Sequence, residues 1–297
     1  MGQIKKAKSS DELWGYFFIA PQFIGLLLFV VVPVIQSLGI SFTSWDLLSK
    51  PVFTGIDNYK KVLSNPLTYK VFIHTLQFIG GFIVLTTILS LLAALGLSNK
   101  LRGHTIFRSV FFLPNITSSV AVSLVWLWLF NPEMGLVNIV LMFFGVENPP
   151  GWYVSLQWAM PTIILMAVWQ GIGYFMIIFL AGLNGISDTY YEAASIDGAG
   201  KVYCFFKITL PLLTPTLFFV LTMMLINCFQ VFNEVYMLTG GGPAQSTRTI
   251  VFEIYETAFR HYKMGEAAVL AWLLFIIIFT VTILQFNLSK KWVNYDT

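Results

Sequence analysis

Tyr191-Glu192-Ala193-Ala194-Ser195-Ile196-Asp197-Gly198-Ala199-Gly200, followed by Ile208-Thr209-Leu210-Pro211, is a small-residue polar stretch between two long apolar runs. A chain that buries so much grease rarely spares a segment like this without a partner for it. The runs around it set the fold class. Hydrophobic residues make up 57% of the 297-residue chain, charged residues 10%, and the mean hydropathy is +0.77. Soluble domains stay near about half apolar and about a quarter charged, so this composition belongs to a membrane protein.

A membrane-crossing helix needs roughly 20 mainly apolar residues. Six stretches meet that length: Trp14 to Ile40, Val71 to Leu97, Ile106 to Phe130, Leu156 to Leu183, Leu212 to Leu238 and Ala267 to Leu288. The expected fold is therefore all-α, integral to the lipid bilayer, with six transmembrane helices and both termini on one side. The third stretch is the least regular, because Pro114, Asn115 and Thr117-Ser118-Ser119 interrupt it. The first follows Lys5, Lys6 and Lys8 but is too long for a signal-peptide core and lacks a small-x-small cleavage site. It reads as a retained helix.

Lysine and arginine in short loops set the orientation. With the N-terminus inside, the inner segments carry Lys5, Lys6, Lys8, Lys100, Arg102, Arg108, Lys201, Lys207, Lys290 and Lys291. The outer ones carry Lys50, Lys60, Lys61, Lys70, Arg248, Arg260 and Lys263. Ten against seven favours the N-terminus inside, and the cation-free outer loop 131–155 adds to it. The expected domains are a cytoplasmic segment 1–13, one transmembrane domain 14–288 with the polar loop at about 187–211, and a cytoplasmic tail 289–297. On this topology the opening stretch faces the cytoplasm. Of the outer loops, 41–70 is long enough to fold over the membrane surface, and Thr239-Gly240-Gly241-Gly242-Pro243 reads as a turn.

Several function classes find no support. The net charge of +3 is scattered, so nucleic-acid binding is not indicated. Cys204 and Cys228 lie too far apart to pair, and His74, His104 and His261 have no ligand-like spacing. No metal or cofactor is expected on this chain. The phosphate-binding pattern G-x-x-x-x-G-K-[ST] is missing: Gly240-Gly241-Gly242 has no following lysine, and Gly171-Ile172-Gly173 lies within a span. No nucleophile stands beside a base, so neither ATP hydrolysis nor another enzyme activity is expected here. Asn115-Ile116-Thr117 matches a glycosylation acceptor but falls at a membrane boundary on the inner side, so it is set aside.

In the polar loop, Ala193, Ala194, Gly198 and Ala199 would let a short helix and its turn sit closely in another protein's groove. Ser187 or Asp188 can cap that helix and Gly198 can end it. Tyr191 begins the stretch, and Glu192 and Asp197 could accept hydrogen bonds from basic residues of a partner. Spacing alone fits an ordinary loop with two surface acids equally well.

Polar groups inside spans are costly and draw attention. Asn227, Gln230 and Asn233 recur every three residues, which on one continuous helix puts them on one face, and Glu234 follows. Gln170 and Tyr174 sit one turn apart beside Gly171 and Gly173. These six could meet a solute's hydroxyls, or the polar ones could hold helices together. Trp126, Trp128 and Tyr236 are further aromatic candidates, though such residues commonly mark the membrane interface. No lysine or arginine lies deep in a span, which favours a neutral solute.

Several separate elements carry a resemblance: Glu192-Ala193-Ala194, Asp197-Gly198-Ala199 and Leu210-Pro211; Phe107-Arg108 with Phe112-Leu113-Pro114; Phe53-Thr54-Gly55-Ile56-Asp57-Asn58-Tyr59; and Leu238 to Pro243. In this order they resemble the permease subunits of binding-protein-dependent ABC sugar importers of the maltose type, over nearly the whole chain. The resemblance implies a type I ABC importer fold in a prokaryotic plasma membrane and a second homologous permease completing a heterodimer. It also implies two ATPase subunits that hold ATP and magnesium, and an external or periplasmic solute-binding protein that delivers the sugar. Tyr191, Glu192, Ala193, Ala194, Asp197, Gly198 and Ala199 would form the ATPase-coupling loop. The chain lacks the extra helices and large external domain of some first-type permeases, which leaves open which half of the pair it is. The alternatives are an ion-coupled secondary transporter, for which Glu234 is the only support, and a membrane-embedded enzyme.

Overall fold

The computed structural model describes residues 2–98 and 103–294, with side chains from Trp14 onward. Lys100 and Arg102 lie outside the described residues, as do the side chains of Lys5, Lys6 and Lys8. Among the described residues, four helices are long and apolar enough to cross a membrane: Trp14–Ser41, Pro66–Ser98, Ala159–Asn184 and Met264–Ser289. Two bent pairs, His104–Ile116 with Ser119–Leu129 and Lys201–Leu212 with Thr214–Phe229, bring the total to as many as six. The chain divides into two compact units.

One unit comprises residues 1–64 and 254–272. Its first helix widens into a π turn over Leu27–Val31. Pro33 lacks the N–H that would reach the carbonyl of Phe29, and its ring crowds that carbonyl, so the helix loosens there. Most side chains of this helix are exposed and apolar, as a lipid solvent permits. After it, Thr43–Ser44 pairs antiparallel with Val52–Phe53, and helix Asp57–Ser64 follows. At the hairpin tip, the Ser49 hydroxyl and amide donate to Asp46 Oδ1 at 2.7 Å each, which holds that carboxyl below its ordinary range.

Asn58 organises this unit. Its buried amide donates to the carbonyls of Ser41 at 2.9 Å and Thr43 at 2.8 Å. The Tyr59 hydroxyl shares a hydrogen bond with Ser41 Oγ at 2.9 Å. The last long helix joins in, with Met264 N–H donating to Trp45 O at 3.0 Å and Trp272 Nε1 to Ser37 Oγ at 3.2 Å. The stretch from Phe53 to Tyr59 is thus a clamp on the end of the first span.

The second unit comprises residues 65–253 and 273–297. Pro66–Ser98 packs along Ala159–Asn184 around Phe78, Ile163, Met166, Met176 and Phe179, all buried. The Ser90 hydroxyl donates to Ile172 O at 3.1 Å across that seam. His104–Ile116 also lies on Ala159–Asn184. Gly173 makes this possible, because any side chain there would fall on the carbonyl of Phe111. Thr214–Phe229 packs on Pro66–Ser98, and the short helix Asn233–Leu238 on Ser119–Leu129.

Two expected spans are not continuous helices. The third breaks by 97° at Thr117-Ser118, both in extended conformation. Pro114 removes one helical donor, the Thr117 hydroxyl donates to Leu113 O at 3.0 Å, and Gln170 Nε2 donates to Thr117 O at 3.2 Å. The fifth bends by 64° at Leu213 and stops at Phe229, short of Leu238. Thr249 donates its hydroxyl to the freed carbonyl of Val231 at 3.1 Å. Unwound backbone survives at membrane depth only when other groups satisfy it.

The glycine-rich turn is a compact knot. Thr239 and Thr247 hydroxyls share a hydrogen bond at 2.7 Å, and Thr247 Oγ1 donates to Gly242 O at 2.6 Å. Arg248 and Glu253, both nearly buried, pair at 3.1 Å. The knot is tied to the second span where Ile250 N–H donates to Thr75 Oγ1 at 3.0 Å.

Candidate functional site

The six polar candidates within the spans converge. Gln170, Tyr174, Asn227, Gln230, Asn233 and Glu234 all border one cavity of about 450 Å³ in the second unit. They do not share a single helical face. Asn227 lies in Thr214–Phe229, Gln230 caps its C-terminal end, and Asn233 and Glu234 open the separate helix Asn233–Leu238. The helix breaks after Phe229, so Asn227 and Gln230 reach the cavity from one helix and Asn233 and Glu234 from the next.

Asn115 joins them, contributed by the helix just before the 97° break. In the sequence it stands out as an interruption of the third apolar stretch and as part of a glycosylation pattern, neither of which points to the cavity. The usable signal was Pro114 beside it, a helix breaker inside an apolar run. Phe78, Phe82, Phe175 and Phe232 supply aromatic wall.

The polar heads fall into two groups. Gln170 supports structure, since it bonds Thr117 O. Asn115, Asn227, Gln230 and Asn233 are exposed, and their side chains form no hydrogen bond with other described residues. Amide groups spent on joining helices would be paired within the bundle. These four keep donors and acceptors free toward the cavity. No lysine, arginine or histidine borders it among the described residues, and Glu234 is its one acid.

The aromatic candidates divide differently. Trp126 and Trp169 line a separate apolar pocket at the elbow of the broken span. Trp128 is exposed, and Tyr236 stacks on Phe232 at 5.3 Å behind the cavity wall.

The polar loop forms helix Asp188–Ile196. Ser187 is the N-cap, its hydroxyl accepting from Thr189 N–H at 3.4 Å, and Asp188 places a carboxylate in the first turn. The helix ends in a Schellman motif: Ala199 N–H donates to Ala194 O at 2.9 Å and Gly198 N–H to Ser195 O at 3.1 Å. Gly198 adopts φ +77°, left-handed backbone that glycine takes without cost.

Glu192, Ala193, Asp197 and Gly198 are exposed, while Tyr191, Ala194 and Ala199 are half-buried. Ile196, at 87% exposed, stands fully clear of the chain. The Tyr191 hydroxyl pairs with Thr209 Oγ1 at 2.9 Å, tying the loop helix to the segment that leads into the fifth span. Beneath it lies a cavity of about 910 Å³ bordered by Tyr191, Ser195, Ala199 and Cys204. Just before Pro211, Phe205–Thr209 forms a second π turn, with the same proline cause as the first.

Residues 86–294 match the binding-protein-dependent transport system inner membrane component family. The chain belongs to that family. It is a multi-pass membrane permease subunit, and the ion-coupled and enzymatic alternatives fall away. Among the relatives of this permease is the "Probable ABC transporter permease protein YesP" of Bacillus subtilis, 39% identical over 99% of this chain and 96% of that one. The multiple sugar-binding transport system permease protein MsmF of Streptococcus mutans is 34% identical over 96% and 98%. A crystal structure of a bacterial ABC transporter involved in import of the acidic polysaccharide alginate matches with a TM-score of 0.84 at 21% identity, covering 97% of this permease and 99% of that chain. The fold is that of a type I ABC importer permease.

Proposed function

We propose that this permease imports neutral oligosaccharides, with the cavity at Asn115, Asn227, Gln230 and Asn233 as its share of the solute path. The observation that carries this reading is a set of unpaired amide heads beside phenylalanine faces with no cation among them. Amides donate to and accept from sugar hydroxyls, and aromatic faces suit the apolar face of a pyranose ring. The name of MsmF supports a sugar as cargo.

A second, homologous permease closes the path as a heterodimer, and a solute-binding protein delivers the sugar from outside. ATP and magnesium sit on two separate ATPase subunits. These dock at Tyr191, Glu192, Ala193, Ala194, Asp197, Gly198 and Ala199, with both permease termini on the same cytoplasmic side. The exposed acids and Ile196 of the loop helix support that role, because they offer charge and apolar area to one partner.

The test is uptake into proteoliposomes holding both permeases and the ATPase, with binding protein added. The expected result is ATP-dependent accumulation of neutral oligosaccharide and none from an ion gradient alone. Uptake of uronic-acid oligosaccharides in preference to neutral ones would overturn the cargo assignment.

A further inference from the structure

We propose that helix Leu136–Phe143, in the connection between the third and fourth spans, lies in the membrane interface and buries its apolar face among lipids. The occupant of that face is the leaflet opposite the Asp188–Ile196 loop, since the fourth span separates the two connections.

Every side chain of the helix except Asn138 is apolar. Asn138 is 1% exposed and pins the helix inward: its amide donates to Pro132 O at 3.0 Å and Pro150 O at 3.2 Å, and Trp152 Nε1 donates to its Oδ1 at 2.5 Å. One polar side chain is thus committed to the protein. The opposite face is left to Ile139, Val140 and Phe143, the last 85% exposed, and Phe144 follows at 77%.

Three observations select lipid as the cover. The connection is folded back on both spans it joins, with Trp152 packed edge-on against Phe130 at 4.7 Å and against Trp158 at 5.6 Å between ring centroids, so the helix it carries stays near the span ends. Trp128 and Trp158, both exposed, stand at the two points of departure, where tryptophan marks the headgroup level. The exposed face of Ile139, Val140 and Phe143 is wholly apolar, as are the exposed Leu124 and Val125 of the third span, and it offers no hydrogen-bonding side chain. A soluble partner such as a binding protein would meet a polar rim there. Lipid needs none, and an interfacial helix buries one apolar face by lying flat.

The assay uses the assembled transporter in liposomes, with Cys204→Ser and Cys228→Ala removing the native thiols and Phe143→Cys carrying an environment-sensitive fluorophore. The expected result is blue-shifted emission, quenched by lipids with a shallow acyl-chain nitroxide and little affected by aqueous iodide. Quenching by iodide without quenching by nitroxide lipid would overturn the proposal, since the face would be in water. Protection from both would overturn it too, since protein would then cover the face. Ile139→Cys, one turn from Phe143 on the same face, gives the same reading if the Phe143 variant does not assemble.

Discussion

Replacing Gly198 tests whether the shape of the polar loop transmits force. A Cβ at this position meets nothing within 4 Å in this chain, so no clash inside the permease confuses the result. The cost is conformational. An L-residue other than glycine pays about 1–2 kcal/mol to hold left-handed backbone, and Asn pays less than Ala or the β-branched Val. That cost falls on the Schellman bonds from Ala199 to Ala194 and Gly198 to Ser195. It lowers the population of the native loop end by a factor of about 5–30. The expected order of ATP-driven uptake is the native chain, then G198N, then G198A, then G198V, with equal membrane insertion and continued ATPase activity in the weakest variant. Both rates should be measured on the same reconstituted transporter. Native-level uptake by G198V, or a loss in G198N as large as that in G198V, would refute the reasoning.

Gly173→Ala forces the Phe111 carbonyl away and should cost about 1–3 kcal/mol of overpacking, read as a lower melting temperature in detergent. Asn58→Leu strands the carbonyls of Ser41 and Thr43, each worth about 1–3 kcal/mol when left buried and unpaired; faster proteolysis within residues 41–64 checks it. Asn233→Ala and Glu234→Ala should each raise the sugar concentration for half-maximal uptake about tenfold, for roughly 1.4 kcal/mol of lost contact. Basal ATPase activity should stay unchanged, and unaltered uptake with unaltered sugar preference would remove both from the path.

Length and apolar content located the six runs, four of which are single long helices and two bent pairs. They could not locate the breaks. Thr117 and Ser118 tolerate helix, and they are extended here because Gln170, more than fifty positions later in sequence, satisfies the carbonyl of Thr117. Val231 and Phe232 unwind with support from Thr249 in the glycine-rich knot. Such partners are fixed by tertiary contact and leave no local pattern. The same limit explains the cavity. Residue type singled out Asn227, Gln230, Asn233 and Glu234, but they come from two helices separated by a break that a three-residue spacing does not reveal. Asn115 was overlooked because its neighbours matched a different motif. The polar loop was easier to read, since capping and the Schellman turn are written in adjacent residues.

If the loop helix receives the stroke as proposed, the hydroxyl pair between Tyr191 and Thr209 would make the fifth span a lever. Its short arm is held by the loop helix, its fulcrum is the 64° elbow at Leu213, and its long arm is Thr214–Phe229. Sixteen residues at about 1.5 Å each give that arm roughly 24 Å. A tilt of about 5° at the elbow therefore carries the Asn227 end through about 2 Å, comparable to the difference between a made and a broken hydrogen bond. Thr209→Val, which removes the pin and keeps the shape, would leave the arm free to swing independently of whatever pushes on the loop.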